Sequence, residues 1–528
     1  MTMRVQRYGF IFLACFLVLI SGAYYYQVAA LRLAHHVVVT LALLGYTLWA
    51  WRRGGIPASP LTLPLLAAIL LWMAAAALGV DARVGLENAW FPISHAVITL
   101  CLIDLIRRGR GGLVVETQLL LAAAVALFAL VHLGSWYFGW GVVPGTAVGW
   151  AEVTAVAPLP LVLPMIYMPV GVSTWLAAYT APLVLLSFAY GLSGRGAARV
   201  GLWALAAALL IALLATGSRG GLIALAAGAA AFVGLRVLPL SFLPLTPDPS
   251  PTQAGRGETS LMPGARDHTP SPTSVPLTPD RSPMQVPLTP DPSPTQAGRG
   301  EILSPPRPLW ERGSGGEGRR LLPLAAAALI VAAALGAVFL ISGSAARFTG
   351  DALRFELWRG ALAVGADHPL LGVGTGMFGR VYREYRVFGG VYDNRLGTAH
   401  NAYLNTFAET GIVGAALMIA FGIVIVRAFW RRRRALGAPG QGRIRVERLR
   451  LEGAFAALFG FGVQSLFDTF VVTPLALLTA VLVVLVVVEP GAVVGPVRRL
   501  RWAAPALALL IAIYGVGQVV SDSLYGQF

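Results

Sequence analysis

Apolar runs of about 17–25 residues, separated by short polar clusters, recur along most of the chain. Each is long enough to cross a hydrocarbon core about 30 Å thick. Such runs begin near Gly9, His35, Leu61, Ala89, Leu113, Ser173 and Ala198, then near Gly220, Leu321, Glu409, Leu451, Val471 and Trp502. The pattern predicts an all-α fold, a polytopic integral membrane bundle of about 12 to 14 transmembrane helices with one long outer loop. The stretch from Val153 to Leu192 is long enough for two helices, yet two would put the later arginine clusters on the wrong side. One full crossing is expected there, preceded by a broken or re-entrant piece at Pro158, Pro160, Pro164 and Pro169.

Composition agrees with lipid as the solvent. Hydrophobic residues make up 57% of the 528 and charged residues 12%, against about 25% charged in a soluble domain. The net charge of +16 lies in short clusters at the ends of apolar runs, which argues for membrane orientation and against nucleic acid as a partner. Arg4 and Arg7, Arg52–Arg53, Arg107–Arg110, Arg195–Arg199, Arg431–Arg434 and Arg498–Arg501 are expected to face the cytoplasm. The basic loop Arg431 to Arg450 is expected to meet anionic headgroups of that leaflet. The opening MTMRVQR, with the apolar span Gly9 to Val28, reads as an uncleaved signal anchor. Cys15 and Cys101 fall inside apolar spans and read as packing residues.

This alternation divides the chain into N-terminal transmembrane helices (1–243), an insertion (244–320) and a transmembrane helix (321–342). An outer loop (343–408) and the C-terminal transmembrane helices (409–528) follow. The insertion is different in kind. Its 15 residues PLTPDPSPTQAGRGE occur at Pro244–Glu258 and again at Pro287–Glu301, with a partial copy, PLTPDRSPMQ, from Pro276. Dense Pro, Ser, Thr and Gly cannot bury enough apolar surface to offset chain entropy, so a disordered, dispensable cytoplasmic segment is expected.

Candidate chemistry gathers near the outer boundary. In TGSRGG (Thr216–Gly221), glycines permit a tight turn, and Ser218 and Arg219 open the next helix. Exposed amides with a guanidinium suit an anion such as phosphate, or Arg219 snorkels to headgroups. In RFELWRGALAVGADHPLLGVGTGMF (Arg354–Phe378), Arg354, Trp358 and Ala361 recur at helical spacing, predicting a short helix with an aromatic face on the membrane. GVGTGMF then offers a glycine-rich turn without the strand and βαβ context of a dinucleotide site. GTAHNAYLNTFAETGIVG (Gly397–Gly414) places His400, Asn401, Tyr403, Asn405 and Glu409 at the water edge of a long apolar helix. Neutral imidazole can take a proton from a hydroxyl, with Glu409 expected to orient or polarise it; a hydrogen-bonded structural histidine is the plainer alternative. No metal and no cofactor are expected. His35 and His36 read as lying at the cytoplasmic side, His95 and His132 in apolar spans, and His268 in the insertion, and no HxxxH or CxxC pair is present.

TGSRGG after an apolar run, then R-x-x-x-W with HPLLGVGTGMF, then AHNAYLNTFAETGIVG, resembles the O-antigen ligase and O-antigen polymerase superfamily. These are bacterial polytopic membrane glycosyltransferases of type-C-like fold. The resemblance covers roughly Ala198 to Asp468 without the insertion, and DTF at Asp468–Phe470 is a looser common feature. It implies transfer of a glycan from a polyprenyl-diphosphate donor to an acceptor hydroxyl on a glycan, lipid A-core or protein. The transfer would be inverting and metal-independent, in the bacterial inner membrane with the site facing the periplasm. By motif, Arg219 and Arg354 would hold the diphosphate and His400 with Glu409 would be catalytic. Ser218, Trp358, Asn401 and Tyr403 would support them. The chain departs from the family where GWAEVTAVAPLPLVLP (Gly149–Pro164) replaces an asparagine-rich element. Ionisable residues at span ends and in one outer loop favour interfacial chemistry over two alternatives, a lipid-linked glycan flippase and a non-catalytic envelope assembly protein.

Overall fold

The computed structural model describes residues 3–21, 28–138, 153–156, 161–164, 166–167, 169–237, 348–386, 397–437, 442–489 and 499–525. The insertion expected at 244–320 and the helix expected at 321–342 lie outside the described residues. Among those described the chain is helical: α1 (Met3–Cys15, continued by a wide π turn to Ser21), α2 (Ala29–Arg52), α3 (Thr62–Leu78), α4 (Ala82–Leu105) and α5 (Gly111–Phe138). Next come α6 (Ser173–Ser193), α7 (Gly196–Ala215), α8 (Arg219–Val237), α9 (Phe348–Asp367) and α10 (Phe378–Tyr385). The last are α11 (Ala402–Ala435), α12 (Arg443–Gln464), α13 (Thr473–Val487) and α14 (Ala503–Tyr525).

Seven of the described helical stretches are long and apolar enough to cross a membrane. One stretch extends from Ala82 to Ser135, 54 residues. At 1.5 Å per residue it would reach about 80 Å, far beyond one bilayer, so it must be two crossings. Gly109, at φ 75°, supplies the break between α4 and α5. The chain is an all-α polytopic membrane protein.

α6 is the hub: 78% of its apolar window is buried, and it packs on α7, α8 and α12. Small residues let α8 and α12 approach backbone to backbone. A Cβ on Gly460 would stand 2.5 Å from the Ala224 carbonyl oxygen, so only glycine fits. Close packing of small residues is what holds helices together where lipid supplies no hydrophobic drive.

The region before α6 differs from expectation. Val153–Val156 and Leu161–Pro164 pair as an antiparallel ribbon, with Val153 opposite Pro164, where a broken or re-entrant helical piece was expected. Proline at 164 and β-branched Val153, Thr154, Val156 and Val162 disfavour a helix and suit extended chain. A second ribbon joins Ile56–Pro57 to Arg499–Leu500.

The arginine clusters converge on one end of the bundle. The Arg53 and Arg108 guanidiniums both lie over the Trp49 ring, at 4.9 and 4.1 Å. Asp104 accepts from Arg108 at 3.0 Å and from Arg499 at 3.1 Å. The basic loop expected at Arg431–Arg450 is mostly helix: α11 runs to Ala435 and α12 starts at Arg443. Arg433 and Arg448 turn inward, because Glu452, fully buried, accepts from both at 3.0 and 2.9 Å. Arg236 reaches its other oxygen at 3.4 Å. One carboxylate thus ties α8, α11 and α12 together.

His35 and His36 do not lie at the cytoplasmic, arginine-bearing end expected for them. They sit near the start of α2, about 25 Å by helical rise from its Arg52 end. The His36 ring pairs with Asp522 near the end of α14. These histidines belong to the end opposite the arginine clusters, where Arg32 also meets the buried Asp522, at 3.0 Å.

Candidate functional site

At that opposite end the described part of the loop expected at 343–408 folds onto the bundle with a small core of its own. Leu357, Ala361 and Val364, spaced three and four apart on α9, pack against Val373, Phe378, Ala399 and Ala408. α9 is a full 20-residue helix, not a short one. Phe355 and Leu362, on its other face, are exposed.

The two glycine-bearing motifs fit into each other. α11 is broken at Gly411, φ 63° and ψ −162°. Val373 and Gly374 donate their amides to the carbonyls of Ala408 (3.0 Å) and Glu409 (3.1 Å). Beyond the break, the amides of Ile412 and Val413 donate to the carbonyls of Pro369 (2.8 Å) and Leu370 (3.4 Å). Backbone groups orphaned by the break are therefore satisfied by the HPLLGVGTG turn. The same turn reaches the connection between α3 and α4 at Val80, whose amide donates to the Val373 carbonyl at 3.0 Å. Asp81 next to it caps α4 and pairs with Arg380 of α10 at 2.7 Å. The Val84 amide and that guanidinium hold its carboxyl below the usual carboxylate range.

Glu409 belongs to this clasp. Its carboxylate, buried beneath the glycine turn, takes the amides of Gly376 and Phe378 at the start of α10, and the Asn405 side chain. It lies eight residues beyond Asn401, about 12 Å along the helix. The expected pairing of Glu409 with His400 is not what the structure has, because that carboxylate is spent on amides.

His400 is oriented by a different acid. Its Nδ1 lies 2.9 Å from Asp468 Oδ1, the carboxylate being almost wholly buried and the imidazole about one third exposed (32%). Asp468 Oδ1 also accepts the Thr469 amide at 2.8 Å. His400 has φ 47°, a left-handed conformation that costs a non-glycine residue about 1–2 kcal/mol. The next few residues fix that turn. Asn401 Oδ1 caps α11 by accepting from the Tyr403 and Leu404 amides, both at 3.0 Å, and Ala402 donates to the Ser465 carbonyl at 2.8 Å. Tyr403 donates its hydroxyl to the Gly462 carbonyl at 2.7 Å, locking α11 to α12. Asn405 accepts the Ala399 amide at 3.0 Å.

The SRGG turn adjoins this corner. Ser218 Oγ accepts the Gly221 amide at 3.2 Å and caps α8, whose first residue is Arg219. A Cβ on Gly220 would lie 3.4 Å from Phe467 Cβ, beside Asp468. Arg219, Ser218, His400, Asn401 and Tyr403 thus share one neighbourhood through residues 462–468. Arg354 and Trp358 stand on α9, tied to it through the core that Leu357 and Ala361 share with Ala399. Trp358 packs edge to face on Phe355 at 5.4 Å, its Nε1 buried without a hydrogen-bond partner among the described residues. Asp468 is the partner of His400 to which the sequence alone gives no role. DTF marks its position, but no spacing rule connects it to a histidine 68 positions earlier.

These elements fall where a comparison with protein families finds a match. The family model described as O-antigen ligase matches residues 306–419, about a fifth of the chain. That stretch holds Arg354, the glycine turn, His400 and the Gly411 break. The match supports the O-antigen ligase and polymerase superfamily. No curated protein matches the chain. Arg219 and Asp468 lie outside the matched stretch, so it is the fold that brings them to the O-antigen ligase motifs.

Proposed function

We propose that the protein is an O-antigen ligase-like or polymerase-like glycosyltransferase of the bacterial inner membrane. It moves a glycan from a polyprenyl-diphosphate donor to an acceptor hydroxyl on a glycan, lipid A-core or protein, with its site facing the periplasm. The observation that carries this reading is the His400–Asp468 pair, set at the non-arginine end of the bundle beside the SRGG turn.

Asp468 accepts the Nδ1 proton, which leaves Nε2 as the basic nitrogen of a neutral imidazole. Nε2 takes the proton of the acceptor hydroxyl while that oxygen attacks the anomeric carbon. The bond to the diphosphate breaks on the opposite face, and the configuration inverts. The leaving diphosphate carries the negative charge away. Arg219 and Arg354 supply planar forks to receive it, so in this scheme no metal is needed. Glu409 acts through the backbone it clasps, not on the acceptor.

Purified protein in nanodiscs, given polyprenyl-diphosphate oligosaccharide with EDTA and acceptors in parallel, tests the proposal. Transfer that persists in EDTA and disappears in His400→Ala supports it. Movement of donor between leaflets of proteoliposomes without transfer to any acceptor would replace it with a flippase.

A further inference from the structure

A cavity of about 800 Å³ opens at the arginine end, far from His400, between the Ile106–Gly112 break and α5, α11, α12 and α13. One wall is apolar, made by residues such as Val115, Leu119 and Leu485; the other carries Arg432, Arg443, Arg450, Glu116, Glu447 and Glu489. Three arginines meet three glutamates in the lining, and Arg7 and Arg107, which face Glu116 and Glu489 from outside it, tip the balance positive. Glu116 pairs with Arg7, Glu447 with Arg443 at 2.7 Å, and Glu489 lies within Coulomb reach of Arg107 and Arg432. Arg450 has no carboxylate partner among the described residues. Its guanidinium lies 4.8 Å over the Tyr190 ring and its Nε contacts Ser193 Oγ at 3.3 Å. Arg432 is fixed by the Leu485 and Val486 carbonyls, which its Nη1 meets at 2.6 and 2.8 Å. Two guanidiniums are therefore held in place at the cavity with positive charge to spare.

The apolar wall continues out of the cavity. Leu120 lines it and is 49% exposed; Leu127 (63%) and Phe128 (48%) follow at seven and eight residues, on the same face of α5. This stripe is about 12 Å long by helical rise and lies within a membrane-spanning helix.

We propose that this cavity is a binding site for an anionic phospholipid of the leaflet at the arginine end. The phosphodiester meets Arg432 and Arg450, and one acyl chain follows Leu120, Leu127 and Phe128. A basic pocket between helix ends at a bilayer boundary is suited to such a headgroup. A zwitterionic lipid would bring an ammonium to the surplus positive charge. The site is separate from the transfer chemistry and does not depend on it.

Native mass spectrometry of the full-length protein, purified in mild detergent and exchanged with phosphatidylglycerol, phosphatidylethanolamine or phosphatidylcholine, tests this. The wild type is expected to retain phosphatidylglycerol in preference to the other two. Arg450→Ala lowers that affinity about fivefold, the effect of about 1 kcal/mol for one arginine. Gly112→Trp changes no charge and obstructs the site: Gly112 lines the cavity, and a Cβ there meets no heavy atom within 4 Å. It should lose the lipid while melting at the wild-type temperature. Arg501→Ala, exposed and outside the cavity, should retain it. Equal retention in wild type and Gly112→Trp, or no preference for phosphatidylglycerol, would overturn the proposal.

Discussion

Gly411 and Leu370 meet backbone to backbone: a Cβ on Gly411 would stand 2.3 Å from the Leu370 carbonyl oxygen. The break in α11 and the glycine turn after α9 are one structural unit, and Glu409 on one side closes it with the Gly376 and Phe378 amides on the other. The His400 turn sits at the free end of that unit.

Gly411→Ala therefore combines a strained φ with an overlap against backbone that cannot move aside. A loss of about 3 kcal/mol or more is expected, seen as a lower melting temperature in detergent. Gly422→Ala is the matched control, because it lies mid-helix in the same element with open space around it. It should stabilise by about 0.5–1 kcal/mol. Equal melting of the two variants would dismiss the interlock.

Substitution of the proposed catalytic pair, His400 and Asp468, should separate chemistry from folding. His400→Ala is expected to lose transfer while the protein still inserts and folds; alanine keeps the strain of the positive φ and gives up the Asp468 partner, so the melting temperature should fall only modestly. Asp468→Asn keeps the shape but presents the wrong tautomer, and kcat should fall about 10²–10⁴-fold with little change in KM. Normal turnover by either variant would remove the proposed base.

Glu409 gives the opposite signature. Glu409→Gln retains an acceptor for the two amides and should keep most activity. Glu409→Ala leaves them orphaned in a buried site and should cost about 2–3 kcal/mol. A Gln variant that is stable yet inactive would return Glu409 to the chemistry.

The diphosphate role predicts a donor-side defect. Arg219→Lys and Arg354→Lys keep charge but lose the fork, so donor KM and kcat should worsen more than acceptor KM. Unchanged donor kinetics in both variants would withdraw that role.

At the arginine end, Glu452→Gln leaves Arg433 and Arg448 buried without a counter-charge. A loss of about 3–5 kcal/mol is expected, with the His400 end intact at lower temperature. The check is a melting curve alongside transfer measured well below the transition.

Period and composition alone determined the membrane bundle and the convergence of arginine clusters on one end, because lipid leaves the backbone few options. Motif order indicated His400, Arg219 and Arg354, since those residue types are costly at a bilayer boundary unless used. The sequence did not determine which acid serves His400. Glu409 was nearer along the chain, but two helical turns and a set of amides keep it away, and Asp468 arrives from the end of α12. Nor did it determine that Arg433 and Arg448 turn inward, which depends on a glutamate at 452 that only packing brings between three helices. Side-chain partners across the bundle follow from helix register and crossing, set by close contacts such as Gly460 on Ala224, and no local pattern encodes those.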